Sequence, residues 1–275
     1  MKNGFFIFLA ALVALGSSWC GFVLAPMRQL GGAGQTTILN SSDTYPLQRS
    51  GDATRGLLVY RANGCVACHT EQVRQTGIEC EVLLTAVGPN PDAVAAVVSA
   101  IPGQSHELST NQLPHIACRK ATREEADAVA RNLTAAGGKA EVRIAATGAD
   151  IARGWGSRRS VAEDYLYDQP VQLGGLRAGP DLANIGVRAP DANWQLVHLY
   201  APRAVAPGSA MPPYQYLFDV RQAGAGRSPE ALQLPQDYAP PAGYEVVPKP
   251  EAKQLAAYLL SLRANAPLYS APVSP

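Results

Sequence analysis

The 275-residue sequence has almost no surplus of charge of either sign: 23 Lys and Arg stand against 22 Asp and Glu. That balance leaves no electrostatic footprint for nucleic acid, which requires a basic face to neutralise phosphates. Cysteine is scarce, with five residues, too few at this length for a disulfide-stapled scaffold. Methionine is scarcer, with three residues, and histidine numbers four, so metal chemistry that uses either has few candidates. Charge is missing altogether from Asn3 to Met27. Glycine and proline are plentiful, at 25 and 22 residues. Long stretches are therefore expected to be irregular.

The uncharged run Phe5-Phe6-Ile7-Phe8-Leu9-Ala10-Ala11-Leu12-Val13 continues through Trp19, Phe22 and Val23. About twenty apolar residues cross a bilayer as a helix, which satisfies its own backbone in lipid. An uncleaved anchor over residues 1–28 is favoured over two alternatives. A cleaved signal peptide needs a shorter apolar core and a small-residue exit, whereas Leu24-Ala25-Pro26 would place Pro after the cut. A lipoprotein cut before Cys20 would set bulky Trp19 where small residues are expected. Lys2 and Arg28 flank the run almost evenly, so charge does not orient it.

Beyond a Gly/Ser/Thr-rich linker, Gly31 to Ser50, a short helix is predicted from Asp52 to Ala62. Residues 77–149 read as a self-contained α+β module. A strand over Glu79–Leu84 leads to an apolar helix from Pro91 to Ile101 and a weak strand from Pro114 to Cys118. The helix that follows opens on Thr122 and Glu125, a capping box, and stops at Gly137-Gly138. An alternating strand, Ala140 to Ile144, closes the module. Further helices are predicted from Asp191 to Tyr200 and from Pro250 to Arg263, the latter with Leu255, Leu259 and Leu262 on one face. The Pro/Gly-rich stretch Ala223 to Gly243 reads as surface loop.

Cys65-Val66-Ala67-Cys68-His69 is the most specific local signal. Two thiols at this spacing add across the vinyl groups of a haem, and the adjacent His binds its iron. One covalently bound haem c is expected. A zinc site would want a second Cys or His pair, which Cys20, Cys80 and Cys118 do not form. A redox dithiol would want a βαβ context. Because haem c is attached outside the cytoplasm, the domain is expected on the periplasmic side of a bacterial inner membrane.

For the sixth position Met1 and Met27 lie in or beside the anchor, which leaves Met211 in the Pro-braced loop Pro207-Gly208-Ser209-Ala210-Met211-Pro212-Pro213. A thioether there stabilises ferrous iron. His106, His115 and His198 are rivals: two lie in the module, and His198 reads as a packed or surface residue beside Trp194. In Gly179-Pro180-Asp181-Leu182, the Pro180 carbonyl is a candidate acceptor for the second nitrogen of His69, and Leu182 a candidate to pack on the haem. Arg74, Arg158, Arg159 and Arg177 are candidates for haem propionates or subunit contacts.

These stretches resemble a family, the monohaem cytochrome c subunit (CcoO or FixO) of cbb-type haem-copper oxidases. The likeness rests on Gly64 to His69 with Arg74, on Ser160 to Glu163 with Tyr167-Asp168-Gln169-Pro170, and on Arg177 to Ala183. It continues through Trp194, His198 to Arg203 and Met211-Pro212, with the anchor and the helix at Ala256 to Leu259. It covers most of 1–76 and 150–265. The resemblance implies a mostly α fold, a class I cytochrome c domain built from 29–76 and 150–275. It also implies His69 and Met211 as axial ligands, Pro180 as the partner of His69, and a place beside the catalytic subunit and another cytochrome c subunit. About seventy extra residues interrupt it, and they resemble the C-terminal domain of the bacterial ribosomal stalk protein. Glu81 to Gly88, Glu124 to Val129 and Ala135 to Val142 carry that likeness. A docking or spacer role and a neutral insertion both stay open, as does a disulfide between Cys80 and Cys118.

The expected function is single-electron relay to a cbb-type oxidase in aerobic respiration, through a closed six-coordinate iron that does no bond chemistry itself. A free-standing membrane-tethered shuttle is the alternative. A peroxidase-like enzyme would need an open iron position.

Overall fold

A computed structural model describes residues 3–30, 32, 34–102, 113–224 and 226–273; Met1, Lys2, Gly31 and His106 lie outside them. The uncharged N-terminal run forms one 26-residue helix, Gly4–Gln29, with a mean hydropathy of 2.1 and none of its apolar window buried against the chain. Its length and composition suffice to cross a membrane.

Ser50 starts the next helix, Gly51–Ala62: its hydroxyl accepts the Ala53 N–H at 3.2 Å, and Asp52 occupies the first turn. Both features suit the positive end of a helix. Ala53, Gly56, Leu57 and Tyr60 fall on one side and are buried against the closing helix Pro250–Ser261, which buries Ala252, Leu255, Ala256, Tyr258 and Leu259. The crossing leaves no room for a side chain at Gly56, where a Cβ would stand 1.9 Å from the Gln254 carbonyl oxygen. The Tyr60 and Tyr258 rings pack alongside, centroids 5.1 Å apart. A third helix, Ala192–Tyr200, is capped by Asp191, whose carboxylate accepts the Asn193 and Trp194 N–H groups at 3.1 Å each. These three helices, with Leu182, Ile185, Leu217 and Phe218, enclose the main core.

Among the described residues, two short antiparallel pairs lie outside residues 77–147, so the fold mixes helix and sheet. Thr36–Thr37 pairs with Thr44–Tyr45 in the linker, and Phe218–Gln222 pairs with Tyr244–Pro248. The second pair brackets the stretch read as surface loop. That stretch is pinned to the main core by Leu232, 1 % exposed, whose N–H donates to Val246 O at 2.9 Å.

Within residues 77–147 three strands form an antiparallel sheet, with Gly77–Ala86 at the centre between His115–Ala121 and Lys139–Thr147. The helices Pro91–Ser99 and Arg123–Ala135 pack with it around Val82, Leu84, Val94, Val98, Ala126 and Leu133. Both halves of the Thr122–Glu125 capping box are made. This core shares no residue with the main one. Cys80 and Cys118 lie on neighbouring strands, opposite Ala121 and Val82 respectively, and both are free thiols. The segment leaves and returns at one place, because Gly77 pairs with Thr147 and the Thr76 N–H donates to Thr147 O at 2.8 Å.

Candidate functional site

Cys65–Ala67 forms one tight turn, and the His69 N–H closes back on Cys65 O at 3.0 Å. Cys65, Cys68 and His69 therefore stand around a single bend. Both cysteines are free thiols, Cys65 half-buried and Cys68 exposed. Burial pushes the Cys65 thiol up to about 12, the reverse of the depressed value that thiolate redox chemistry exploits.

His69 Nδ1 lies 2.8 Å from the Pro180 carbonyl oxygen. A carbonyl can only accept, so Nδ1 carries the proton and Nε2 keeps its lone pair. Burial lowers the pKa of the imidazole, with the Pro180 carbonyl pulling the other way; the net effect favours the neutral ring, the form that binds metal. Gly179 lies flat against that ring, since a Cβ there would stand 2.3 Å from Cε1 and 2.7 Å from Nδ1. Two backbone bonds hold the strips together: Gly179 N–H to Cys68 O at 2.9 Å and Leu182 N–H to Thr70 O at 2.7 Å.

Leu182 is buried in the main core, and Cys65, Val66, Trp194 and Met211 pack against that same core. The Met211 loop folds back through the Tyr214 N–H, which donates to Leu199 O at 2.8 Å, and through the Met211 N–H, which donates to the Ser209 hydroxyl at 3.2 Å. His198 is packed, its ring parallel to Trp194 at a centroid distance of 5.0 Å. Burial, and then the nearby His69, lowers its pKa, and its Nδ1 is buried without a hydrogen-bond partner. His115 lies in a strand within residues 77–147. Glu71, two residues past His69, is buried, accepts the Tyr258 hydroxyl at 3.0 Å and is pushed up to about 8 by that burial.

The arginines separate by environment. Arg158 is fully buried, pairs with Asp164 at 2.7 Å, donates from Nε to Ala266 O at 2.5 Å and sits over the Tyr45 ring. It therefore fastens the linker to the C-terminal segment inside the fold, which corrects its reading as a propionate or subunit contact. Arg159 is exposed and donates to Ser270 O at 2.5 Å. The Arg74 side chain is exposed. Arg177 gives Nη1 to Asp150 at 2.5 Å and Nη2 to Gln72 O at 2.6 Å. Nothing local in the sequence marks Asp150, because a partner 27 residues away leaves no pattern.

The residues present fit a covalently held haem. Two thiols flank a neutral imidazole with a free Nε2, apolar side chains wall the site, and His198 Nδ1 is a buried polar atom that lacks a partner.

Residues 146–237 match the family model described as Cytochrome C oxidase, mono-heme subunit/FixO. The stretch is thus similar to the mono-haem subunit of a cytochrome c oxidase. The likeness spans 92 of the 275 residues, about a third of the chain. The matched stretch takes in Arg177, Pro180, Leu182 and Met211, while Cys65, Cys68 and His69 precede it. No curated protein matches the chain.

Proposed function

We propose that the chain is a membrane-anchored class I cytochrome c that passes single electrons to the catalytic subunit of a cbb-type haem-copper oxidase. The observation that carries this is the hydrogen bond from His69 to Pro180 beside the paired cysteines, in a chain whose residues 146–237 match the mono-haem subunit model. Cys65 and Cys68 would hold one haem c as thioethers, and His69 and Met211 would occupy the two axial positions. Haem so ligated supplies reversible one-electron chemistry and offers no open position to oxygen. Pro180 would keep the His69 ring in one tautomer and raise its basicity, and Leu182 would pack on the macrocycle. The N-terminal helix would hold the domain at the periplasmic face of the inner membrane, next to the catalytic subunit and another cytochrome c subunit.

Produced with a haem c maturation system, the chain should stain for haem on a denaturing gel and co-purify with a haem-copper subunit in gentle detergent. Recovery without that subunit would point instead to a free-standing shuttle. Met211→Ala should turn a ferrous spectrum indifferent to carbon monoxide into one that shifts with it. An unchanged spectrum would remove Met211 from the iron.

Residues 77–149 act in this reading as an inserted domain, whose separate core and adjoining ends support the division. Partners in an antiparallel ladder lie about 4.5–5.5 Å apart, a span that a two- or three-residue turn bridges. A chain with 77–147 replaced by a short Gly/Ser turn is expected to keep full haem content and the same ferrous spectrum. Loss of haem in that chain would mean the segment belongs to the cytochrome fold.

A further inference from the structure

Asp150 is 3 % exposed and both its carboxylate oxygens are used: Oδ1 accepts Arg177 Nη1 at 2.5 Å and Oδ2 accepts the Arg74 N–H at 2.7 Å. Burial pushes its carboxyl up, but the Arg177 guanidinium and then the Arg74 N–H outweigh that and hold it below the usual carboxylate range. It is therefore an ion at neutral pH. Arg177 Nη2 donates to Gln72 O at 2.6 Å and lies 3.8 Å from Asp181 Oδ2; only its Nε is left buried and unpartnered. Asp181, wholly buried, accepts the Thr70 hydroxyl at 2.6 Å and the Gln72 N–H at 2.7 Å on Oδ2, and the Ala183 N–H at 2.9 Å on Oδ1. The chain Asp150–Arg177–Asp181 thus clamps two strips of backbone. One carries His69, and the other carries the Pro180 carbonyl that receives its proton.

We propose that Asp150 is a positioning residue for His69: acting through Arg177, it holds the 69–74 loop against Gly179-Pro180-Asp181 and so sets the His69–Pro180 hydrogen bond. This rests on the reading of His69 as an iron ligand. A tighter hydrogen bond at Nδ1 makes the imidazole a stronger donor to iron, which favours the ferric state. Loosening the clamp should therefore favour ferrous iron and raise the reduction potential.

Charge alone gives a different pattern of signs. Asp150→Asn removes a negative charge, and the potential rises by either route. Arg177→Gln removes a positive charge, which lowers the potential if only the field matters and raises it if the clamp matters. Arg177→Lys keeps the charge but cannot reproduce the two-pronged contact to Asp150 and Gln72, so it should also raise the potential. The test is equilibrium redox titration of the full-length, haem-loaded chain in detergent for the wild type and all three variants, with haem content measured for each. Each variant is expected to favour ferrous iron by roughly tenfold, a rise of about 59 mV for one electron. Unshifted potentials, or a fall in Arg177→Gln with no change in Arg177→Lys, would overturn the proposal. If Arg177→Gln does not load haem, Arg177→Lys and Asp150→Asn decide. A wild-type chain that carries no haem at His69 would instead sink the functional reading, before any variant is compared.

Discussion

A Gly179→Ala chain is expected to lose the wild-type haem spectrum while the rest of the fold survives. The added methyl would stand 2.3 Å from His69 Cε1, 2.7 Å from Nδ1 and 3.0 Å from Nε2. All three contacts fall on one ring, so no small rotation relieves them together. The ring can clear the methyl only by leaving Pro180, whose carbonyl now receives its Nδ1–H at 2.8 Å. Removing such an outer partner of a metal-bound His typically costs about ten- to a hundredfold in metal affinity or activity, and here the ring is displaced as well. In the proposed reading Cys65 and Cys68 still tether the macrocycle, so the expected result is covalent haem with weakened or exchanged axial ligation. Haem content from the pyridine haemochrome, read beside the ferrous spectrum with and without carbon monoxide, separates attachment from ligation. A variant with the wild-type spectrum and no response to carbon monoxide would show that Gly179 is no cradle for the ring.

The second large effect is expected at Gly56, where two opposing terms differ in size. Replacing glycine by alanine inside a helix ordinarily stabilises by about 1 kcal/mol. At this crossing the methyl would meet the Gln254 carbonyl oxygen at 1.9 Å and Tyr258 Cβ at 2.8 Å. The first is backbone and cannot swing away, so the helices Gly51–Ala62 and Pro250–Ser261 must part. Overpacking of a well-fitted core costs about 1–3 kcal/mol and sometimes more, and this contact belongs at the upper end. We expect Gly56→Ala to lose about 2 kcal/mol net and Gly56→Val to lose more. At about 2–4 °C per kcal/mol for a chain of this size, the melting temperature should fall by several degrees. Thermal unfolding followed by far-UV circular dichroism checks this. A melting temperature at or above wild type would mean the two helices are not held at this distance.

Much of the site could be read from local chemistry. Cys65, Cys68 and His69 share one five-residue motif, and Pro180 stands out because a metal-binding His needs an acceptor on its second nitrogen. Two helix starts are legible for the same reason: Thr122 and Asp191 each cap the helix they precede, and capping is decided within four residues. What escaped was set by distance along the chain. Arg158 resembled a loop charge because nothing nearby showed that Ala266, 108 residues on, would receive its Nε–H. The pairing of Arg177 with Asp150 is likewise unmarked in the sequence, because 27 residues separate the two. The pair Phe218–Gln222 and Tyr244–Pro248 was missed because the second strand buries Glu245, Val246 and Val247 in succession, without the alternation that marks a half-buried strand.

The adjoining ends of residues 77–147 bear on the order in which the chain can fold. His69 and Pro180 are 111 positions apart, and closing so long a loop is entropically costly before any contact repays it. The segment from Gly77 to Thr147 carries its own core and brings its two ends into register. Once folded it short-circuits the chain, leaving about 40 residues of open loop and lowering the closure cost by about 1 kcal/mol. Early, independent folding of residues 77–147 would thus let the His69–Pro180 contact assemble nearly as fast as in a chain without them.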